Sequence, residues 1–220
     1  SMLETTPSLY EGPKSVLTRP LLIGEFSSHA DFTTIPNKRN LRRLIHIEKG
    51  FKPTFDLNEG IGSFVRKDPK LYWNDTRELQ EWAIAERRKY DCNDFFEFLE
   101  EPEIVCCRGV LSTIAKTPYY PNDEWRIVAV RRDGVIYLHD CGVVDGRTYV
   151  ERDDQHARQT YYGHKFHRVM TSAGNGQVND TDTVDCRETF HAVFRSDLIM
   201  PDASRVKLTY SAEIKAVDES

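Results

Sequence analysis

Glu213 and Lys215 stand two residues apart in Ser211-Ala212-Glu213-Ile214-Lys215, a spacing that sets both side chains on one face of a strand. A carboxylate so placed can hold a hard divalent cation. An ammonium beside it suits a phosphate oxygen instead. Two further groups extend the set: His167 in Gly163-His164-Lys165-Phe166-His167, and Arg108 in Cys107-Arg108-Gly109. Read singly, each has an ordinary explanation. Glu213 and Lys215 make a solvated ion pair worth little energy, Arg108 pairs with Glu103 or another surface acid, and His167 is a half-buried histidine. Spacing alone does not raise them above these explanations.

The elements that must position these groups can be read from periodicity. Asp153 to Tyr162 reads as a short helix that Gly163 can stop in a left-handed conformation. Alternation after Gly163 suggests a strand with Lys165, His167 and Val169 on one face and His164, Phe166, Arg168 and Met170 on the other. The alternation from Lys207 to Ala216 predicts a final strand, with Leu208, Tyr210, Ala212 and Ile214 on the face opposite Glu213 and Lys215. If the natural chain ends at Ser220, that strand lies near a sheet edge and invites pairing with a partner. Arg108 falls between the apolar run Ile104 to Cys107 and a helix that Pro118 stops. Asp133-Gly134 between Trp125 to Arg131 and Val135 to His139 predicts a tight hairpin. Asp75 with Glu78 has the form of a capping box for a helix burying Leu79, Trp82 and Ala83, and Asn93 or Asp94 can cap a second short helix. Short strands are expected around Val16 to Phe26 and over Leu41 to Ile47, and a loop over Thr171 to Asp185.

With 220 residues and 39% apolar content, the chain can bury one sizeable core. A net charge of -5 means that a polyanion site would have to be a local basic patch. The five cysteines include no CxxC pair and no zinc-like spacing, which reads as reduced thiols of an intracellular protein. No apolar run reaches the roughly 18 residues of a membrane helix, so no membrane partner is expected.

Short runs in register carry a family resemblance: Arg19-Pro20, Gly24-Glu25-Phe26-Ser27, Phe55-Asp56-Leu57, Cys107-Arg108-Gly109, Thr117-Pro118-Tyr119, Gly163-His164-Lys165-Phe166, Phe190-His191-Ala192-Val193-Phe194-Arg195-Ser196 and Ser211-Ala212-Glu213-Ile214. In this order they resemble the DXO family of RNA 5′-end decapping nucleases. The resemblance implies an α+β fold of mixed, mainly antiparallel β-sheets flanked by helices, as one domain over residues 1–220 that lacks the family's C-terminal portion. It also implies Mg or Mn at the site, an RNA 5′ end as ligand, an XRN-type exoribonuclease among protein partners, and a nuclear or cytoplasmic location.

The departures from the family's motifs are specific. Arg108 stays, with Cys107 where an aromatic is usual, so Cys107, Arg108, Gly109 and Lys215 are the expected substrate-binding residues. The Gly-h-x-h-Glu motif, with h apolar, ends in His167, and the Glu-h-Asp motif reads Glu213-Ile214-Lys215, leaving Glu213 as the remnant catalytic and metal-binding carboxylate beside His167. Imidazole suits softer ions than magnesium. An ammonium about 4 Å from a divalent ion is repelled by roughly 8 kcal/mol at an effective dielectric near 20. The expected outcome is metal chemistry that is weak or lost, with RNA 5′-end binding kept. The alternatives are an active metal-dependent decapping hydrolase and 5′-3′ exonuclease, and a non-catalytic protein-interaction adaptor.

Overall fold

The structure is a computed structural model that describes residues 11–29, 31, 33–50, 52–66, 76–88, 95–120, 124–141, 143–144, 147–148, 154–172 and 183–218. Its elements are β1 (Val16–Leu17), β2 (Leu21–Ser28), β3 (Thr34–Ile35), β4 (Arg43–Leu44), α1 (Arg77–Arg87), α2 (Phe95–Phe98), β5 (Ile104–Cys107), α3 (Arg108–Lys116), β6 (Ile127–Arg132), β7 (Val135–Asp140), β8 (Val143–Val144), β9 (Arg147–Thr148), α4 (Asp154–Val169), β10 (Thr171–Ser172), β11 (Thr189–Ile199) and β12 (Arg205–Glu213). The principal sheet runs β3-β2-β11-β12-β5-β7-β6, with β1 beside β11. It is mixed and mostly antiparallel, the α+β class expected from the resemblance. Among the described residues no helix is long and apolar enough to cross a membrane.

The chain divides into two compact units, the first comprising residues 1–24, 72–149 and 192–212, the second residues 25–71, 150–191 and 213–220. In the first unit β5 pairs in parallel with both β12 and β7, in the registers Tyr210↔Cys106 and Val105↔Tyr137. Its core gathers Cys106, Val110, Leu208 and Tyr210, with Ile127 and Leu138 packed against them. Burial pushes the Cys106 thiol up to about 12. Asp133 and Gly134 take positive φ values of 51° and 86° and close the β6–β7 hairpin at Arg132↔Val135, as the Asp-Gly pair requires. α1 buries Leu79, Trp82 and Ala83 as expected, but its N-cap is Thr76, whose hydroxyl accepts from Gln80 Nε2 at 2.7 Å. Asp75, Asn93 and Asp94 lie outside the described residues. A Cβ placed on Gly24 would sit 2.0 Å from Trp82 Cζ2, so only glycine lets β2 approach that ring.

In the second unit the structure corrects the reading of Gly163. α4 is one helix from Asp154 to Val169 and runs through Gly163, with no strand after it until β10. Tyr161, Lys165 and Val169, spaced four apart, are fully or almost fully buried on one helical face. That burial outweighs the roughly 1 kcal/mol a glycine costs inside a helix. The Tyr161 hydroxyl donates to the Glu59 carbonyl, fixing α4 against the turn after Phe55. The strand expected over Leu41 to Ile47 shrinks to β4, which pairs with β10 as Leu44↔Thr171. Most of the expected loop from Thr171 to Asp185 lies outside the described residues.

Two expectations for the last strand also change. β12 ends at Glu213, and it lies between β11 and β5 rather than at an edge. Thr209 and Ser211 are therefore as buried as Leu208 and Tyr210, so the alternation did not mark a solvent face.

Candidate functional site

Along α4, His164, His167 and Arg168 lie three and four residues apart and so share a helix side that borders the buried stripe, with His167 exposed and His164 and Arg168 half-buried. These side chains line a pocket in the second unit together with Asn40, Arg42, Asp185, Glu188, Glu213 and Lys215. The segment after β12 is fixed by backbone bonds, Ile214 N to Phe190 O at 2.8 Å and Val217 N to Arg42 O at 3.0 Å. That anchoring holds Lys215 at the pocket beside Glu213, the last residue of β12.

Lys215 Nζ donates to Glu213 Oε1 at 2.5 Å, with side chains 42% and 35% exposed. His167 faces both. Partial burial depresses its pKa first, the Lys215 ammonium depresses it further, and Glu213 opposes the shift. His167 is therefore biased towards neutral imidazole.

Arg42 forms another wall. Its Nε donates to Thr171 Oγ1 at 2.6 Å and its Nη2 to the Thr171 carbonyl at 2.7 Å, while Thr171 Oγ1 donates to the His167 carbonyl at 2.7 Å. A guanidinium at the carbonyl end of α4 is favourably placed in the helix dipole. Asp185 is held by Arg187, with Nη2 to Oδ2 at 2.7 Å, and this bond keeps its carboxyl below the usual range. Among the lining residues Arg42, Arg168 and Lys215 set three cations against Asp185, Glu188 and Glu213, so the formal charges balance, and Arg187 pairs with Asp185 from outside the lining.

The structure thus brings three sequence candidates together, His167, Glu213 and Lys215, in one pocket. Arg108, Cys107 and Gly109 belong to the first unit. There Cys107 is the extended N-cap of α3 (φ −99°, ψ 156°) and Arg108 is its exposed first residue. Burial pushes the Cys107 thiol up, against the opposing pull of the Val110 and Gly109 N–H groups, so a protonated thiol is the relevant species. Sequence reading missed Arg42 and Arg168 as site residues. A helix carried through Gly163 would have exposed Arg168, four residues from His164. Arg42 had no such signal, because its bonds reach across 129 residues to Thr171.

The donor set does not suit a divalent ion. Glu213 is tied to Lys215, Asp185 to Arg187, and among the described residues no group of three or more His, Cys, Asp or Glu side chains could hold a metal ion.

A family profile described as "RAI1 like PD-(D/E)XK nuclease" matches residues 18–220. The chain belongs to this nuclease family. Its relatives include the Caenorhabditis elegans "Decapping nuclease dom-3", 28% identical over 172 residues, covering 75% of this chain and 42% of the relative. The human "Decapping and exoribonuclease protein" is 28% identical over 226 aligned positions, covering 98% of this chain and 53% of the relative. The chain thus spans about half the length of the curated relatives it matches. Similar folds include Candida albicans Rai1 in complex with pU5-Mn2+ (TM-score 0.76, 18% identity, 94% of this chain and 56% of that one). Scheffersomyces stipitis Rai1 in complex with (3'-NADP)+ and calcium ion has a TM-score of 0.68 at 15% identity, covering 91% of this chain and 57% of that one. This RAI1-like chain therefore shares its fold with structures that hold Mn2+ or Ca2+, while in its own pocket the Lys215 ammonium is paired with Glu213.

Proposed function

We propose that this RAI1-like chain binds the phosphorylated 5′ end of RNA in the α4 pocket, with metal-dependent hydrolysis weak or lost. The observation that carries the reading is Lys215 Nζ at 2.5 Å from Glu213 in the pocket that His167 also lines. The ammonium supplies positive charge where relatives can use a metal ion, and a charge-assisted bond to a terminal phosphate would contribute about 1.5–3 kcal/mol before screening. Arg42, tethered to Thr171, adds charge that it can present without large rearrangement, and Arg168 lines the same pocket. Glu213 orders Lys215 but repels the incoming phosphate, so it lowers affinity while keeping the ammonium in place.

Arg108 is assigned a phosphate contact by family resemblance, and its position at the start of a nine-residue helix supports that role. Helix N–H groups and a guanidinium both favour an anion there. The relatives' names and the Candida albicans complex with pU5 support RNA as the ligand class.

The test is incubation of labelled 5′-triphosphate RNA with the chain in magnesium or manganese. Retention of the intact RNA is expected. Robust cleavage that Glu213→Ala abolishes would overturn the proposal in favour of an active decapping hydrolase.

A further inference from the structure

We infer that Arg66, stacked on Phe64 beside the α4 pocket, is a platform for a base of the RNA strand that follows the terminal phosphate. The inference rests on the reading that this pocket takes the RNA 5′ end, and it adds a contact to a base where that reading has contacts to phosphate alone.

The platform is built within the second unit by backbone pairing. Phe64 is extended (φ −62°, ψ 119°), and Val65 forms a parallel bridge with Asp185. Val65 N donates to the Val184 carbonyl at 2.9 Å, and Cys186 N donates to the Val65 carbonyl at 3.0 Å. Val184, Asp185 and Cys186 all line the pocket, so this short ladder fixes residues 64–66 to its wall. Phe64 and Arg66, two apart on an extended segment, project to one side. There the Arg66 guanidinium carbon lies 5.2 Å from the centroid of the Phe64 ring, inside the range of about 6 Å for a cation–π contact.

Ring packing holds Phe64 in turn. Its centroid is 5.2 Å from that of Tyr161, which meets it edge-on at 66°, and 5.7 Å from that of His164. Tyr161 is fully buried and His164 lines the pocket, so the rings lead from the pocket to Arg66, which is exposed. The plane is therefore presented by a fixed support rather than by a loose side chain.

The shape of a guanidinium favours a particular ligand. Its N–H groups lie along the edge, so hydrogen bonds and ion pairs engage the edge and leave the faces for stacking. Phe64 covers one face, and the outer face can take a planar group. Nucleobases stack on guanidinium planes as they do on aromatic rings, and the positive charge also attracts the phosphates of the strand. An acidic peptide would gain from the charge but not from the plane, so the stack favours RNA. Because stacking does not read base edges, the contact should tolerate any base.

The experiment measures fluorescence anisotropy of labelled 5′-phosphorylated pentaadenylate in excess EDTA, using intact strands and strands with one abasic residue at the first, second or third position. Arg66→Ala should weaken the intact strand by roughly ten-fold, with little change in the thermal transition because the side chain is exposed. At one of the three positions base removal should cost the unaltered chain a similar factor and cost Arg66→Ala nothing further. Arg66→Lys keeps the charge without the plane and should not restore affinity. A role confined to covering Phe64 would move the thermal transition and leave the ratio of intact to abasic affinity unchanged, which would overturn the inference. Effects of base removal and Arg66→Ala that multiply at every position, or full rescue by Arg66→Lys, would also overturn it while leaving the 5′-end reading in place. Equal affinity of the unaltered chain for 5′-phosphate and 5′-hydroxyl strands would overturn that reading and the inference with it. Polyglutamate that displaces the strand from the unaltered chain but not from Arg66→Ala would assign the platform to acidic protein segments and count against RNA.

Discussion

The β5–α3 junction and the α4 pocket differ in what surrounds their functional side chains. At the junction, Arg108 follows a strand whose Val105 and Cys106 are completely buried, and α3 buries Val110 one turn later. At the pocket, Lys215 and Glu213 are partly exposed, Glu213 closing β12 and Lys215 following it, while His167 is an exposed residue of α4. Exchange of a carboxylate for imidazole or ammonium there alters charge without opening a cavity. This is how a chain can keep the family's fold while its ligand chemistry changes, since stability resides in apolar burial that the pocket residues scarcely share.

The sharpest way to break that contrast is to exchange the expected sensitivities. Trp82→Ala in the first unit removes a side chain only 2% exposed and should cost about 3–5 kcal/mol in urea unfolding. Gly24→Ala drives a Cβ into the same ring and should cost about 1–3 kcal/mol. Lys215→Ala should change stability by only about 0.5 kcal/mol in either direction. A pocket variant as damaging as Trp82→Ala would show that the pocket is part of the structural core.

The pocket should instead respond in ligand binding. Restoring carboxylates with His167→Glu and Lys215→Asp should raise Mn2+ affinity by roughly ten-fold or more in calorimetry, since it removes the ammonium and adds two oxygen donors. Glu213→Gln should tighten 5′-phosphorylated RNA by a few-fold, about 0.5–1 kcal/mol, by removing a repulsion at a partly exposed site. A smaller effect concerns pH. His167 has a folded pKa below its ordinary value of 6.5, so the unfolded chain takes up its proton first. Its contribution to stability is complete above about 6.5 and is lost as pH falls through the depressed folded value. His167→Gln should flatten that part of the pH–stability curve.

These contrasts also explain what could be read from the sequence. Asp133-Gly134 specifies a turn through local backbone conformation, so the β6–β7 hairpin was legible, and Leu79, Trp82 and Ala83 mark α1 by their spacing. Gly163 misled because glycine at a helix stop and glycine tolerated within a helix look alike locally. The burial of Tyr161, Lys165 and Val169 against the rest of the unit decides between them. β12 misled because strict alternation suggests one wet face, yet Thr209 and Ser211 are buried in a central strand. Glu213, Lys215 and His167 were legible as a group through motif resemblance. Arg42 was not, since its place depends on bonds to Thr171 that no local pattern encodes.

The central claim is that Lys215 replaces a divalent ion in holding an RNA 5′ end. It is tested most directly by comparing 5′-monophosphate and 5′-hydroxyl forms of one RNA in fluorescence anisotropy, in excess EDTA, with the unaltered chain and Lys215→Ala. The account predicts a preference for the phosphorylated end of roughly five-fold or more that survives EDTA and disappears in Lys215→Ala. Equal affinity for the two ends, or a phosphate preference that appears only when Mg2+ or Mn2+ is restored, would contradict it.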